Sequence, residues 1–255
     1  MLIVGTDKSP ILDHPPQSFL LIDDGPLIDR LTFPKRRKIT RFDPANHAFN
    51  PLAKIDHKRA RDFLTILNAV FPQGENTLTR GNADTFLLEA LADNPTCLDS
   101  LISQPTDLKD TGHVEAYRKV RTLLLSPVLK RVLCNPTNLT FKGILLARLN
   151  RAELGDFDCF VLGNLLIGQY PGPVVVPDFG FYAVPSHMSL IRQNRLTAGV
   201  NFLDEVPDKL RQRLLLMPAK IGSHATFDDA ETLAVYAGLA RGTNEFNEYV
   251  HAAMA

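Results

Sequence analysis

Cysteine is scarce. The chain has three in 255 residues, Cys97, Cys134 and Cys159, far apart and with no C-x-x-C pair. The odd count and wide spacing exclude a disulfide framework and argue against a cysteine-built zinc site; a reduced, cytoplasmic setting fits. Net charge is lacking too: 28 Lys and Arg balance 28 Asp and Glu, and the sequence pI is about 7.1. Bulk charge therefore gives no general attraction to nucleic acid or membrane, although local patches stay open. No apolar run approaches the ~20 residues that span a bilayer. The opening Met1–Val4 run is too short for a signal peptide and has no basic lead. The seven histidines are dispersed without metal-ligand spacing, so no metal site is expected. No Gly-x-Ser-x-Gly and no nucleophile–base set is present. What remains is ordinary for a globular protein: 45% hydrophobic and 22% charged residues, in a chain long enough to bury a sizeable core.

The first stretch with chemical content is Met1-Leu2-Ile3-Val4-Gly5-Thr6-Asp7-Lys8-Ser9. An apolar strand running into glycine, lysine and serine is the outline of a phosphate-binding loop. There, backbone N–H groups wrap phosphate, Lys adds charge and Ser holds Mg²⁺. The outline is too short. Only Thr6 and Asp7 separate Gly5 from Lys8, no second glycine precedes the lysine, and Asp7 puts negative charge where phosphate would sit. The helix whose N-terminus should complete the anion site has no room before Pro10, Pro15 and Pro16. Gly5, Lys8 and Ser9 are thus either a nucleotide-binding remnant or an ordinary strand and turn.

Further along, Phe19–Asp23 reads as a buried strand ending in the acids Asp23 and Asp24, Leu27–Leu31 as a short helix, and Ile39–Phe42 as a strand. The cluster Lys35, Arg36, Arg37 and Lys38 is either a solvated turn or a nucleic-acid patch. From residue 55 to 134 the apolar spacing turns helical, with Phe63, Leu64, Leu67 and Val70, then Leu87 and Leu91, then Val120, Leu123 and Leu124, broken at Pro127. Asp99 and Asp107 stand as cap residues. After Asn135-Pro136 strands and helices alternate again. Strands are expected at Gly143–Leu149, Pro173–Asp178, Leu196–Phe202 and Lys220–Ala225, with helices between them and at the end. This order predicts an α/β fold: a mostly parallel sheet flanked by helices from residues 1–54 and 135–255, with an all-helical subdomain inserted at 55–134.

In this order the chain resembles the P-loop ATPases of the HerA/FtsK class, DNA translocases and conjugative coupling ATPases, over nearly its whole length. Leu21-Ile22-Asp23-Asp24-Gly25-Pro26 resembles that class's strand ending in Asp-Pro-x-Gly-Asp. Arg41-Phe42-Asp43-Pro44 and Phe49-Asn50-Pro51-Leu52 are similar to its next strand and Asn-Pro-Leu turn. Ile144–Leu166 resembles the segment before the Walker B strand, Ile191–Arg195 the helix end after it, and Asp228–Ala234 a late helix start. The resemblance implies a RecA-like core and, where the site works, ATP and Mg²⁺.

The positions that would carry that chemistry depart from the pattern. Phosphoryl transfer needs a phosphate loop, an acid on Mg²⁺ and a group that orients water. The resemblance places Asp178 at the Walker B acids, but its neighbours are Pro177 and Phe179, so one acid is missing in either register. It places Asn201 at the sensor amide, and Arg195 as an interface arginine that would otherwise make a surface salt bridge. The expectation is a pseudo-ATPase with an assembly, scaffolding or regulatory role, without a bound cofactor. A protein partner or homo-oligomer is expected and DNA is possible. The alternatives are an active ATP-driven DNA motor with an unusual loop, and a DNA-associated structural protein without nucleotide.

Overall fold

The computed structural model of the chain describes residues 1–12, 15–33, 37–52, 56–71, 77–93, 98–101, 110–218 and 220–255. Seven strands form one sheet: β1 (Leu2–Val4), β2 (Phe19–Asp23), β3 (Ile39–Phe42), β4 (Ile144–Arg148), β5 (Val174–Val176), β6 (Leu196–Val200) and β7 (Lys220–Gly222). Their order is β3-β4-β2-β5-β6-β1-β7. β1 runs parallel to β6 and β7, β2 to β4 and β5, and β5 to β6. Strands β1, β2 and β5 are buried along their whole length. Continuous Val, Leu and Ile runs of this kind need cover on both faces, as a parallel sheet provides. The α/β architecture agrees with the sequence expectation. Three strands end earlier than expected: β5 at Val176 rather than Asp178, β7 at Gly222 rather than Ala225, and β6 at Val200, so that Phe202, expected inside the strand, lies beyond it and is 44% exposed.

The helices, in chain order, are α1 (Pro26–Arg30), α2 (His57–Val70), α3 (Thr77–Ala92), α4 (Thr111–Leu125), α5 (Pro127–Cys134), α6 (Arg151–Leu154) and α7 (Asp156–Gln169). They continue with α8 (Phe179–Tyr182), α9 (Met188–Arg192), α10 (Asp208–Leu215), α11 (Phe227–Tyr236) and α12 (Asn244–Met254). The chain divides into two compact units. One holds residues 1–40, 142–149 and 170–255; the other holds 41–141 and 150–169.

In the sheet-bearing unit, Ile3, Phe19, Leu21, Ile144, Leu146 and Val175 share one core with Ile11 and with Leu27 and Ile28 of α1. Truncating one of these, such as Leu21→Ala, removes about 2–5 kcal/mol of stability. The turn into α1 is set by Asp23. Its Oδ2 accepts from the N–H groups of Gly25 at 3.2 Å, Leu27 at 2.9 Å and Ile28 at 3.1 Å.

The helical unit is larger than the 55–134 insertion read from sequence, because α6 and α7 belong to it. The Phe71 and Phe157 rings lie 6.1 Å apart, and Ser126 Oγ donates to Asp158 on α7 at 2.6 Å. Residues 41–52 also lie in this unit: Phe49 N donates to Val132 O at 2.9 Å and Ala48 N to Asn138 Oδ1 at 2.7 Å. The break at Pro127 is as expected. Ser126 ends α4 and N-caps α5, accepting from Leu129 N at 3.2 Å with Pro127 in the first turn. Gly112 lets α3 and α4 close on each other, since a Cβ there would sit 2.7 Å from Asn82 Cβ. Lys119 is fully buried in this unit; its ammonium donates to Asn68 Oδ1 at 2.9 Å, and Asn68 Nδ2 donates to Asp84 Oδ2 at 2.8 Å. Asp99 falls in a 3-10 turn, Leu98–Leu101, while Asp107 and Cys97 lie outside the described residues.

Candidate functional site

Ligands of open parallel sheets bind beyond the C-terminal ends of the strands. At that edge β1, β5 and β6 deliver Gly5, Asp178 and Asn201. The loop after β1 is pinned between the ends of β6 and β7: Gly5 N donates to Val200 O at 3.0 Å, and Ser223 N donates to Val4 O at 2.9 Å. Gly5 has φ +120°, and a Cβ there would collide with the Ser223 carbonyl. Only glycine fits both demands. The chain then enters a four-residue 3-10 turn, Ser9–Leu12, where a phosphate-binding loop would open a helix.

The side chains of this loop are bonded to the chain itself. Asp7 Oδ1 accepts from Ser9 N at 2.9 Å, and Oδ2 accepts from Ser9 Oγ at 2.9 Å and from Ser223 Oγ at 3.5 Å. Backbone and hydroxyl donation from Ser9 holds the Asp7 carboxyl below its usual range. Lys8 Nζ donates to the carbonyls of Gly5 and Val200. Its stem crosses above Gly199, where a Cβ would lie 3.0 Å from Lys8 Cδ. Burial lowers the Lys8 ammonium to about 8, with Glu205, Asp178 and Asp7 opposing the shift.

Asp178 opens α8 without a side-chain capping bond. Its charge reaches Lys8. Phe179 is fully buried and faces the His187 ring at 5.5 Å. The position after Asp178 therefore points an apolar ring into the core. Asn201 is engaged by Glu205: its N–H donates to Glu205 Oε2 at 3.1 Å and its amide to Oε1 at 3.4 Å. Gly180 makes room for that carboxylate, since a Cβ there would come within 2.6 Å of Oε2. The sheet edge thus gathers Asp7, Lys8, Asp178, Asn201 and Glu205. Sequence reading missed Glu205 and Ser223. Glu205 returns to the edge through the 3-10 turn Leu203–Glu205, and no local spacing signals that return.

Other candidates lie elsewhere. Arg195 is at the opposite end of β5 and β6, where it donates to Gly172 O from Nε at 3.1 Å and to Tyr170 O at 2.7 Å, holding the turn before β5. Lys35 and Arg36 lie outside the described residues. Lys38 leads into β3, and its carbonyl accepts from Ile144 N at 3.2 Å. Arg37 precedes it at the same entry. Asp23 is committed to α1, and burial raises its carboxyl despite three N–H partners. Among the described residues, no group of three or more His, Cys, Asp or Glu is placed to hold a metal ion, and no helix is long and apolar enough to cross a membrane.

No protein-family model and no curated protein matches the chain. A solved structure does: the bacterial conjugative coupling protein TrwBdeltaN70 in an unbound form, with TM-score 0.53 and 14% identity, over 84% of this chain and 65% of that one. The fold is RecA-like, a seven-stranded sheet flanked by helices. At this identity the likeness concerns the fold alone. The chain spans less than two thirds of the coupling protein's length.

The sheet edge can be tested against the group that such a fold implies, a magnesium nucleotide. A phosphate takes loop N–H groups and a lysine ammonium, and Mg²⁺ takes a hydroxyl and an acid. Here the Ser9 N–H and hydroxyl are on Asp7, and the ammonium is on two backbone carbonyls. The residues in this arrangement do not fit that group.

Proposed function

We propose that the chain is a noncatalytic relative of DNA-translocating P-loop ATPases, acting as an assembly, scaffolding or regulatory subunit. The observation that carries the reading is the engagement of Asp7, Lys8 and Ser9 with one another and with the strand ends. Phosphoryl transfer is catalysed by positioned charges, so groups already bonded elsewhere supply no transition-state stabilisation. The burial of Phe179 beside Asp178 adds to this, because one acid is absent where metal and water are both to be placed. A single such group is worth ~3 kcal/mol, about a hundredfold in rate. The reading carries with it a protein partner, a second copy of the chain or an active relative. Light scattering across a concentration series checks self-association.

A second reading, an active motor, is favoured by one feature. Glu205 brings a further carboxylate to Asn201 and within the electrostatic reach of Lys8. Steady-state phosphate release with and without double-stranded DNA separates the two. The comparison is wild type beside Lys8→Ala and Asp178→Asn. Equal background in all three is the expected outcome. Wild-type turnover that both substitutions abolish establishes the motor instead.

A further inference from the structure

The sheet edge holds one negative and one positive group in places that bound ligands otherwise take. Asp7 presents a carboxylate to the Ser9 N–H, the Ser9 hydroxyl and, more distantly, the Ser223 hydroxyl. Those are the donor types that receive phosphate oxygens. Lys8 presents an ammonium to the carbonyls of Gly5 and Val200, with the carboxylates of Glu205, Asp178 and Asp7 near enough to favour its charge. Oxygens gathered around a positive centre are what a cation takes. The two residues are adjacent in sequence, so the loop supplies both groups from a single turn.

We propose that Asp7 and Lys8 form an internal plug: the Asp7 carboxylate fills an anion position and the Lys8 ammonium a cation position, and this autoinhibitory contact keeps polyphosphate out of the loop. The proposal rests on the noncatalytic reading and gives it a cause. The edge is closed by self-occupancy, and a single change of charge reopens it. Asp7 holds the position electrostatically as well as by contact, because an ionised carboxylate repels an incoming polyanion. Like any carboxylate it is ionised at neutral pH, and the Ser9 donors favour its charged form further. Lys8 has the opposite part. Once Asp7 is neutral, the ammonium is the one loop charge of the right sign, a short swing from Gly5 and Val200 toward a phosphate oxygen.

The test is calorimetric titration with tripolyphosphate, with and without Mg²⁺, at low ionic strength. The proteins are wild type, Asp7→Asn, Asp7→Gly and the double variant Asp7→Asn/Lys8→Ala. Both single variants are expected to bind roughly tenfold or more tightly than wild type. The double variant should lose that gain. Equal affinity in wild type and the Asp7 variants overturns the proposal, as does a gain that survives Lys8→Ala. Asp7→Asn keeps an oxygen acceptor for Ser9 N, so it carries the readout if the glycine variant does not fold. The unaltered protein gives a further check by lysine acylation and mass spectrometry. Lys8 should label at a rate unchanged by tripolyphosphate. Protection of Lys8 by tripolyphosphate in wild type overturns the plug. Failure of the noncatalytic reading is seen separately, as wild-type ATP turnover without any of these substitutions.

Discussion

His187 is a buried histidine, 4% exposed, packed against Phe179, and its Nδ1 has no hydrogen-bond partner among the described residues. Burial pushes its imidazole down to about 3. The unfolded chain takes up this proton near pH 6.5, whereas the folded chain does not. Stability from the neutral ring is therefore complete above pH ~6.5 and falls as pH drops toward the folded value, by up to about 1.4 kcal/mol per pH unit. Asp23, Asp158 and Asp229, which burial raises, have the opposite sign. The difference between wild type and His187→Phe isolates the histidine. Urea melts at pH 7 and pH 5 should show the wild type losing more stability than the variant. A second residue-scale expectation concerns Gly5→Ala, which combines φ +120° with a collision at Ser223 O and should lose about 2–4 kcal/mol in the same assay. At this scale Gly5 was legible as the glycine at which the first apolar strand turns. Glu205 and Lys119 were not. Both look like solvated charges in their own segments; Lys119 is placed by Asn68, far back along the chain, and Glu205 meets Asn201 only because a 3-10 turn folds it back to the sheet edge.

Elements were easier to read than residues where burial is two-sided. Runs such as Leu2–Val4, Phe19–Ile22 and Val174–Val176 have no polar face to offer water, so only an internal strand or a buried helix suits them, and flanking glycine and proline decide for strand. Helix α7 shows where that logic ends. It is buried from Asp158 to Ile167 on nearly all sides, so its pattern marks it as internal without saying which neighbours cover it. Alternation suggested the sheet, yet Phe157 and Asp158 tie it to Phe71 and Ser126. The Ser126–Asp158 pair gives an element-scale expectation. Ser126→Ala removes the α5 cap, worth ~1 kcal/mol, and strands a carboxylate, for roughly 1–3 kcal/mol more. Asp158→Ala removes the acceptor first, so Ser126→Ala should then cost less. A double-mutant cycle read by urea denaturation should give a coupling energy of at least about 0.5 kcal/mol. Additive losses would mean that the hydrogen bond contributes nothing to joining α5 and α7.

On the scale of the whole molecule, the helical unit is not one continuous insertion. It comprises residues 41–141 and 150–169, with the strand-bearing segment 142–149 between them in the other unit. A linear reading sees helical spacing begin and stop, and so sets the boundary near Cys134. The return of α7 across a strand is a tertiary fact with no sequence marker. It has a measurable consequence. Removing α7 from the helical unit uncovers Phe71 and leaves Ser126 Oγ without its acceptor. It also removes the whole apolar surface of a helix whose residues Val161–Ile167 are buried. At about 25 cal/mol per Å² of apolar surface, losing several such side chains exceeds the 5–15 kcal/mol by which a domain is ordinarily stable. A fragment of residues 41–141 should therefore keep helical circular dichroism but lose a cooperative thermal transition and bind a hydrophobic dye. A fragment of 41–169 with a Gly/Ser linker in place of residues 142–149 should regain the cooperative transition. Cooperative unfolding of 41–141 alone would show that α7 is a passenger on that unit, and would return the boundary to the one read from the sequence.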